Sequence, residues 1–326
     1  MILAGDVGGT NARLAFFDVQ EGHFRQVSAS VFPSREYAGL DQIVSKFVED
    51  SKLHPDAACF GVPGPVRNGR VETSNLPWVI ESTRLAHELN LKKTVLINDL
   101  EANAWGIATL APDDVVSLNQ VKGNPVGNQA VISAGTGLGE AGMYWDGSQH
   151  RIFATEGGHS DFAPRNELEM DLFRYLSGRY GHVSYERVVS GPGLVNVFHF
   201  LRDSGHGTEP QWLTDEMAHG DPAAAISRAA LDGKCGLCEQ ALDLFVSVFA
   251  AEAGNLALKI MSTGGVYLGG GIAPKMLAKL SGPLFMHAFV GKGRMQPLLE
   301  GMPVKVIIND RTALMGAARC AAANGS

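Results

Sequence analysis

A chain of 326 residues is about twice the usual domain size, so two domains are the expectation rather than one core. With 45% hydrophobic and 19% charged residues and no low-complexity tract, the composition excludes a disordered or fibrous chain. The net charge of -7, with 27 Lys and Arg scattered along the sequence, offers no footprint for nucleic acid.

The first residues, Met1 to Asp6, carry no basic leader and meet an acid early, which fits neither a signal peptide nor an anchor. No apolar run is expected to span a bilayer. Ile2 to Asp18 predicts a strand, a Gly8-Gly9-Thr10 turn and a second, largely apolar strand containing Leu14-Ala15-Phe16-Phe17. Another strand is expected over Val27 to Phe32. A helix is expected from Leu40 to Val48, with Leu40, Ile43, Val44, Phe47 and Val48 on one face. Ala57 to Val62 reads as a buried strand, and Asn68-Gly69 as a tight hairpin turn. Thr94 to Ile97 is a short strand that stops at Asn98-Asp99 and hands over to a helix from Leu100 to Leu110. Open α/β sheets place their sites at such a junction.

Near Val131 the opening pattern returns: Val131-Ile132-Ser133-Ala134, then Gly135-Thr136-Gly137-Leu138-Gly139, then Met143-Tyr144-Trp145-Asp146. An offset of 128 lays Gly9 on Gly137, Phe17 on Trp145 and Asp18 on Asp146, the mark of a divergent duplication. From Asn166 the pattern is helical, over Leu168 to Tyr180, Gly193 to Arg202, Pro222 to Leu231 and Glu239 to Met261. A strand and glycine turn follow at Val266 to Gly271. The end is a strand, Val304 to Ile308, and a helix, Thr312 to Ala322, expected to pack back on the first domain. The expected division is a small α/β domain of residues 1–110 completed by the C-terminal helix 310–326, and a large α/β domain of residues 111–309.

Three glycine clusters carry the chemistry. Gly5-Asp6-Val7-Gly8-Gly9-Thr10-Asn11-Ala12-Arg13 places backbone N–H groups and a threonine hydroxyl where a phosphate could approach. Asp6, at the end of a buried strand, is a costly carboxylate unless it faces a cation such as a nucleotide-borne Mg²⁺. Gly135-Thr136-Gly137-Leu138-Gly139, with Gly142, spells a formal G-x-G-x-x-G, but a strand rather than a helix follows, which argues against NAD. Gly269-Gly270-Gly271 after a strand is either a plain turn or bare backbone on which an adenine or ribose rests.

Asp99 reads as a helix N-cap or as a reactive carboxylate. Cys59, Cys235, Cys238 and Cys320 are too few for a disulfide framework, which points to a reducing cytoplasm. Cys235-Gly-Leu-Cys238 lacks a second pair and reads as two unpaired thiols at a helix start.

These clusters, with Asn98-Asp99, Glu156-Gly157-Gly158-His159 and Glu186-Arg187-Val188-Val189-Ser190-Gly191-Pro192-Gly193, stand in the order found in the bacterial glucokinase family, which the sequence resembles over nearly its whole length. The resemblance implies the actin, sugar kinase and Hsp70 fold: two ribonuclease H-like domains with an interdomain cleft. It implies ATP-dependent phosphorylation of D-glucose at the 6-hydroxyl, with ATP and Mg²⁺ near Asp6 and no metal held by protein alone. Asp99 would be the general base; Asn75, Asn98, Glu156, His159 and Glu186 would hold the other hydroxyls. Gly5, Asp6, Val7, Gly8, Gly9, Thr10, Gly135, Thr136, Gly137, Gly269 and Gly270 would hold the nucleotide. A homodimer with no nucleic-acid or membrane partner is implied.

Adjacent sugar hydroxyls both donate and accept, so carboxylates and amides suit them. The cysteine-rich zinc motif of the related kinase and repressor family is missing after His159, which argues against that branch, as does a phosphate hairpin beginning almost at Met1 where a repressor carries a helix-turn-helix. The readings left beside glucokinase are a same-fold kinase for another hexose or amino sugar, and a non-catalytic sugar-binding regulator.

Overall fold

The computed structural model describes every residue except Glu21, Ser74, Asn75, Asn124, Gly325 and Ser326. In chain order the elements open with β1 (Ile2–Val7), β2 (Asn11–Gln20), β3 (His23–Pro33), α1 (Leu40–Ser51) and β4 (Ala57–Val62). Next come β5 (Arg70–Glu72), β6 (Val79–Glu81), α2 (Ser82–Glu88), β7 (Val95–Asn98), α3 (Asp99–Ile107) and β8 (Val115–Ser117). Then follow β9 (Gln129–Ala134), β10 (Leu138–Trp145), β11 (His150–Thr155), α4 (Glu167–Tyr180), α5 (Gly191–Asp203), α6 (Gln211–His219), α7 (Pro222–Leu231) and α8 (Gly236–Ile260). The chain ends with β12 (Gly265–Gly269), α9 (Leu277–Leu280), α10 (Pro283–Val290), α11 (Gln296–Glu300), β13 (Val304–Ile307) and α12 (Thr312–Asn324). Two compact units result: Met1–Asp114 with Ile152–Ala154 and Asn309–Ser326, and Val115–Arg151 with Thr155–Ile308.

In the first unit the strands are ordered β3-β2-β1-β4-β7. Strand alternation sends Leu3 and Val7 of β1 to one face, where Phe16, Phe32 and Phe47 pack with α1, and Ile2 and Ala4 to the other. That second face is covered by Ala313, Leu314, Ala317, Ala318 and Ala321 of α12. The C-terminal helix therefore returns to the first sheet. Gly5 is part of this packing rather than of the turn: a Cβ there would run into the Phe60 ring and Leu14.

The sheet of the second unit is ordered β11-β10-β9-β12-β13, with β8 added antiparallel outside β13. Its first five positions repeat the topology of the first sheet, an antiparallel three-strand meander followed by two parallel strands. The duplication is thus visible as topology. The constant offset of 128 is not the structural equivalence, because the last paired residues are Val7 with Ala12 in one hairpin and Ala134 with Leu138 in the other, offsets of 127 and 126. The second turn is one residue shorter, and no single slide aligns both strands.

The core of the second unit gathers β9, β12 and β13 with α5, α7, α8 and α10. Helix α8 corrects one expectation, since by length and composition it could cross a bilayer; 78% of its apolar window is instead buried inside the structure. A helix apolar on every side is the signature of a core helix as much as of a membrane span. Strand β3 begins four residues before the expected Val27, and β5, β6, β8, β11, α2, α6 and α10 were not anticipated. The part of β3 that was missed, His23 to Gln26, has one apolar residue, and β11 lies mostly in solvent, so neither shows the apolar alternation that announces a strand.

Candidate functional site

In the first unit, three parallel strands present their carboxyl ends side by side: Asp6 pairs with Gly61 across β1–β4, and Val62 pairs with Asn98 across β4–β7. Asn98 is the N-cap of α3. Its Oδ1 accepts from Leu100 N at 2.8 Å, its own N–H donates to Glu101 Oε2 at 2.9 Å, and its Nδ2 donates to the Gly64 carbonyl at 3.2 Å. This is a full capping box. The N-cap reading weighed for Asp99 falls instead on Asn98, and Asp99 is the first helical residue, its Oδ1 also accepting from Leu100 N at 2.9 Å. Each side-chain polar atom of Asn98, itself 9% exposed, makes one hydrogen bond within the fold, which leaves its amide a second N–H and a second lone pair. Asn98→Ala is expected to cost about 1–2 kcal/mol, read from the denaturant midpoint.

Gly61, the β4 partner of Asp6, lets α3 lie close against the sheet. A Cβ on Gly61 would sit 2.8 Å from Ala102 Cβ and 3.8 Å from Asp99 Cα, so any larger residue would push α3 off the sheet. Burial pushes the Asp6 carboxyl above its ordinary range, Arg13 pulls it down and Asp310 pushes it up again. Arg13 is held by the Asp310 carbonyl at 2.9 Å and carboxylate at 3.3 Å. The turn after β1 closes with Gly8 N donating to Asn11 O at 2.8 Å. Ser34, which sequence reasoning passed over, braces it: Ser34 Oγ donates to Gly8 O at 2.8 Å and Ser34 N to Thr10 O at 2.9 Å. Val7 is in the core and could offer a ligand only its backbone, whereas Thr10 is exposed. Asn75 lies outside the described residues.

The second unit assembles Glu156, His159 and Glu186. His159 Nδ1 lies 3.9 Å from Glu186 Oε1, and its Nε2 lies 4.0 Å from Glu156 Oε2. All three side chains keep solvent access, at 56%, 59% and 27% for Glu156, His159 and Glu186. Glu186 Oε2 accepts from Leu138 N at 2.9 Å, directly after the Gly135-Thr136-Gly137 turn. A Cβ on Gly137 would displace that carboxylate. Ser190 caps α5, accepting from Gly193 N at 3.0 Å and donating to Glu186 O at 2.7 Å, and Gly191 N donates to Gly135 O at 2.8 Å. The Ser-Gly-Pro sequence ahead of an apolar helix is the N-terminal signal that could have identified this brace.

The third glycine cluster adjoins the second. Gly269 pairs with Ser133 across parallel β12 and β9, and Gly270 has φ +82° where a Cβ would meet the backbone of Ala134. Two glycine turns therefore open at the carboxyl ends of neighbouring parallel strands, where doubly wound sheets bind nucleotides. Cys235 and Cys238 are buried free thiols at the start of α8.

Among the described residues no group of three or more His, Cys, Asp or Glu is set to hold a metal ion. A Mg²⁺ that arrives on a nucleotide keeps most of its waters and needs only one or two carboxylates. The half-buried Asp6, its ionised form disfavoured by desolvation, fits that demand.

The family model described as Glucokinase matches residues 3–324. A relative named Glucokinase from Nostoc sp. (strain PCC 7120) is 42% identical over 338 aligned residues, covering 99% of each chain. Among solved structures, a glucokinase from an Antarctic psychrotroph is 31% identical with a TM-score of 0.83 and 99% of both chains covered. A glucokinase from Balamuthia mandrillaris, solved with glucose, has a TM-score of 0.81 at 22% identity, covering 98% of this chain and 93% of its own; it speaks for the fold alone.

Proposed function

The chain belongs to the glucokinase family, and from that premise we propose that it transfers the γ-phosphoryl group of ATP to the 6-hydroxyl of D-glucose, releasing glucose 6-phosphate and ADP. The observation that supports this most is the convergence of Glu156, His159 and Glu186 on one solvent-reached patch of the second unit. Two carboxylates and an imidazole can each satisfy a hydroxyl that both donates and accepts, and the carboxylates would repel an anionic substrate.

In this reading Asp99 accepts the proton of the 6-hydroxyl as its oxygen forms the bond to the γ-phosphorus and the bond to the ADP oxygen breaks. Phosphoryl transfer asks little covalent help from protein, so positioning of the acceptor and charge around the phosphates set the rate. The backbone of Gly8, Gly9 and Thr10 and of Gly135, Thr136 and Gly137 faces the phosphates; Gly269 and Gly270 support the nucleoside. Mg²⁺, carried in with ATP near Asp6, would neutralise phosphate charge. Asn98 aims Asp99 as the cap of α3, and its second amide N–H would reach a sugar hydroxyl. The same reading makes the chain a cytoplasmic homodimer; four buried free thiols suit a reducing compartment.

A coupled ADP-release assay with Mg·ATP against glucose, mannose, fructose, galactose and N-acetylglucosamine tests the proposal. Glucose is expected to give the highest kcat/KM. Sugar binding without ADP release would leave only the regulator reading standing, and preference for N-acetylglucosamine would shift the substrate to an amino sugar.

A further inference from the structure

Behind the Glu156 to His159 loop lies a charged network to which the proposed chemistry assigns no role. Glu140 on β10 is 2% exposed and Glu252 on α8 fully buried. Glu252 Oε1 lies 3.4 Å from Lys259 Nζ, and its Oε2 accepts from Asn255 Nδ2 at 2.8 Å. The same Asn255 amide donates to Tyr185 OH at 2.9 Å, and Tyr185 directly precedes Glu186. Lys292 Nζ donates to Asn255 Oδ1 and to the Ala251 carbonyl. Arg165 and Glu169, paired with each other, complete the charges around this cluster.

Glu140 is the member nearest the sugar loop. Its carboxylate touches Gly157 so closely that a Cβ there would overlap it, and its Oε1 is buried with no hydrogen-bond partner. Its backbone carbonyl accepts from Thr155 Oγ1 at 3.1 Å, and that hydroxyl oxygen accepts from Gly157 N at 3.2 Å. Both connections to the sugar-recognition patch, through Gly157 to Glu156 and His159 and through Tyr185 to Glu186, thus start from the two buried carboxyl groups.

We propose that Glu140, buried against Gly157, keeps its proton at neutral pH, and that this neutral carboxyl is a positioning device for Glu156, His159 and Glu186. A carboxyl that is buried with an unpartnered oxygen is costly to ionise, so Glu140 retains its proton. Burial first, and then the charge of Glu252, push Glu140 up to about 8. Lys292 is brought down to about 8, chiefly by burial, so the network loses the Glu140 proton and a cation in the same range.

The sign follows. A carboxyl whose folded pKa is raised stabilises the fold fully below its ordinary value of 4.5, and that contribution is lost as pH climbs to about 8. Above that, a second buried negative charge forces Glu140 against Gly157 and loosens the loop. Glucose affinity, not only stability, falls.

The inference rests on the glucokinase reading, so its test measures binding without turnover. Isothermal titration of glucose into the full chain, without ATP, is run from about pH 7 to about pH 9.5 on the wild type, Glu140→Gln and Glu252→Gln. The wild-type dissociation constant is expected to rise at least about fivefold, whereas either variant, which cannot build up the second charge, stays within about twofold. A flat wild-type profile, or a variant that folds and keeps the full alkaline rise, overturns the positioning role. No glucose binding by the wild type at neutral pH would instead remove the sugar-kinase reading on which the inference stands.

Discussion

Asp99→Asn is expected to lower kcat with Mg·ATP and glucose by at least about two orders of magnitude, with little change in glucose affinity. Asparagine has the shape of aspartate and can still take a hydrogen bond from Leu100 N, so the start of α3 should survive. The cap of that helix comes from Asn98 and Glu101, neither of which the substitution touches. What is lost is the ability to accept a proton. Stopped-flow or steady-state ADP release gives kcat, titration calorimetry gives glucose affinity, and far-UV circular dichroism checks the fold. An Asn variant with unimpaired kcat would remove the general-base role; one that lost glucose binding equally would make Asp99 a binding residue.

Where the apolar pattern is strong the elements were legible. Ala57–Val62 is the expected buried strand, and Pro222–Leu231 the expected helix. The short strands β5, β6 and β8 were not, because three-residue strands carry too little pattern to register. The site followed the same division. Residues recognised by motif order, such as Glu156, His159 and Glu186, do come together, although they are up to 30 residues apart in sequence.

What the sequence could not show is support that depends on tertiary contact. Ser34 bracing the Gly8 turn, and Glu140 against Gly157, each need two segments to meet, and a single sequence without contacts contains no signal for either. Asn98 was read only as a sugar ligand, whereas the local S/T/D/N-x-x-E pattern, here Asn98 with Glu101, also carries an N-terminal capping signature.

Gly316→Ala tests how far Asp99 depends on a contact remote from it. In an exposed helix this substitution usually stabilises, by up to about 1 kcal/mol. At Gly316 the added Cβ would collide with the Ala102 carbonyl oxygen and lie 2.6 Å from Gly106 N, because α12 and α3 cross backbone to backbone. Gly106 meets the Thr312 carbonyl from the other side in the same way. Backbone cannot move aside as a flexible side chain does, so the helices must separate, and Gly316→Ala is expected to destabilise by about 3 kcal/mol, the upper end for overpacking. Gly178→Ala is the control: Gly178 sits within α4, and an added Cβ there meets nothing within 4 Å, so stability should hold or rise. Because α3 begins with Asp99, any separation also displaces the proposed base, and misplacement of about 1 Å can cost about a hundredfold in rate. Denaturant midpoints and kcat measured on both variants separate the two effects. A Gly316→Ala protein as stable as the control would mean that α12 slides freely on α3; one destabilised yet fully active would mean that Asp99 is held by the β7 junction and its capping box alone.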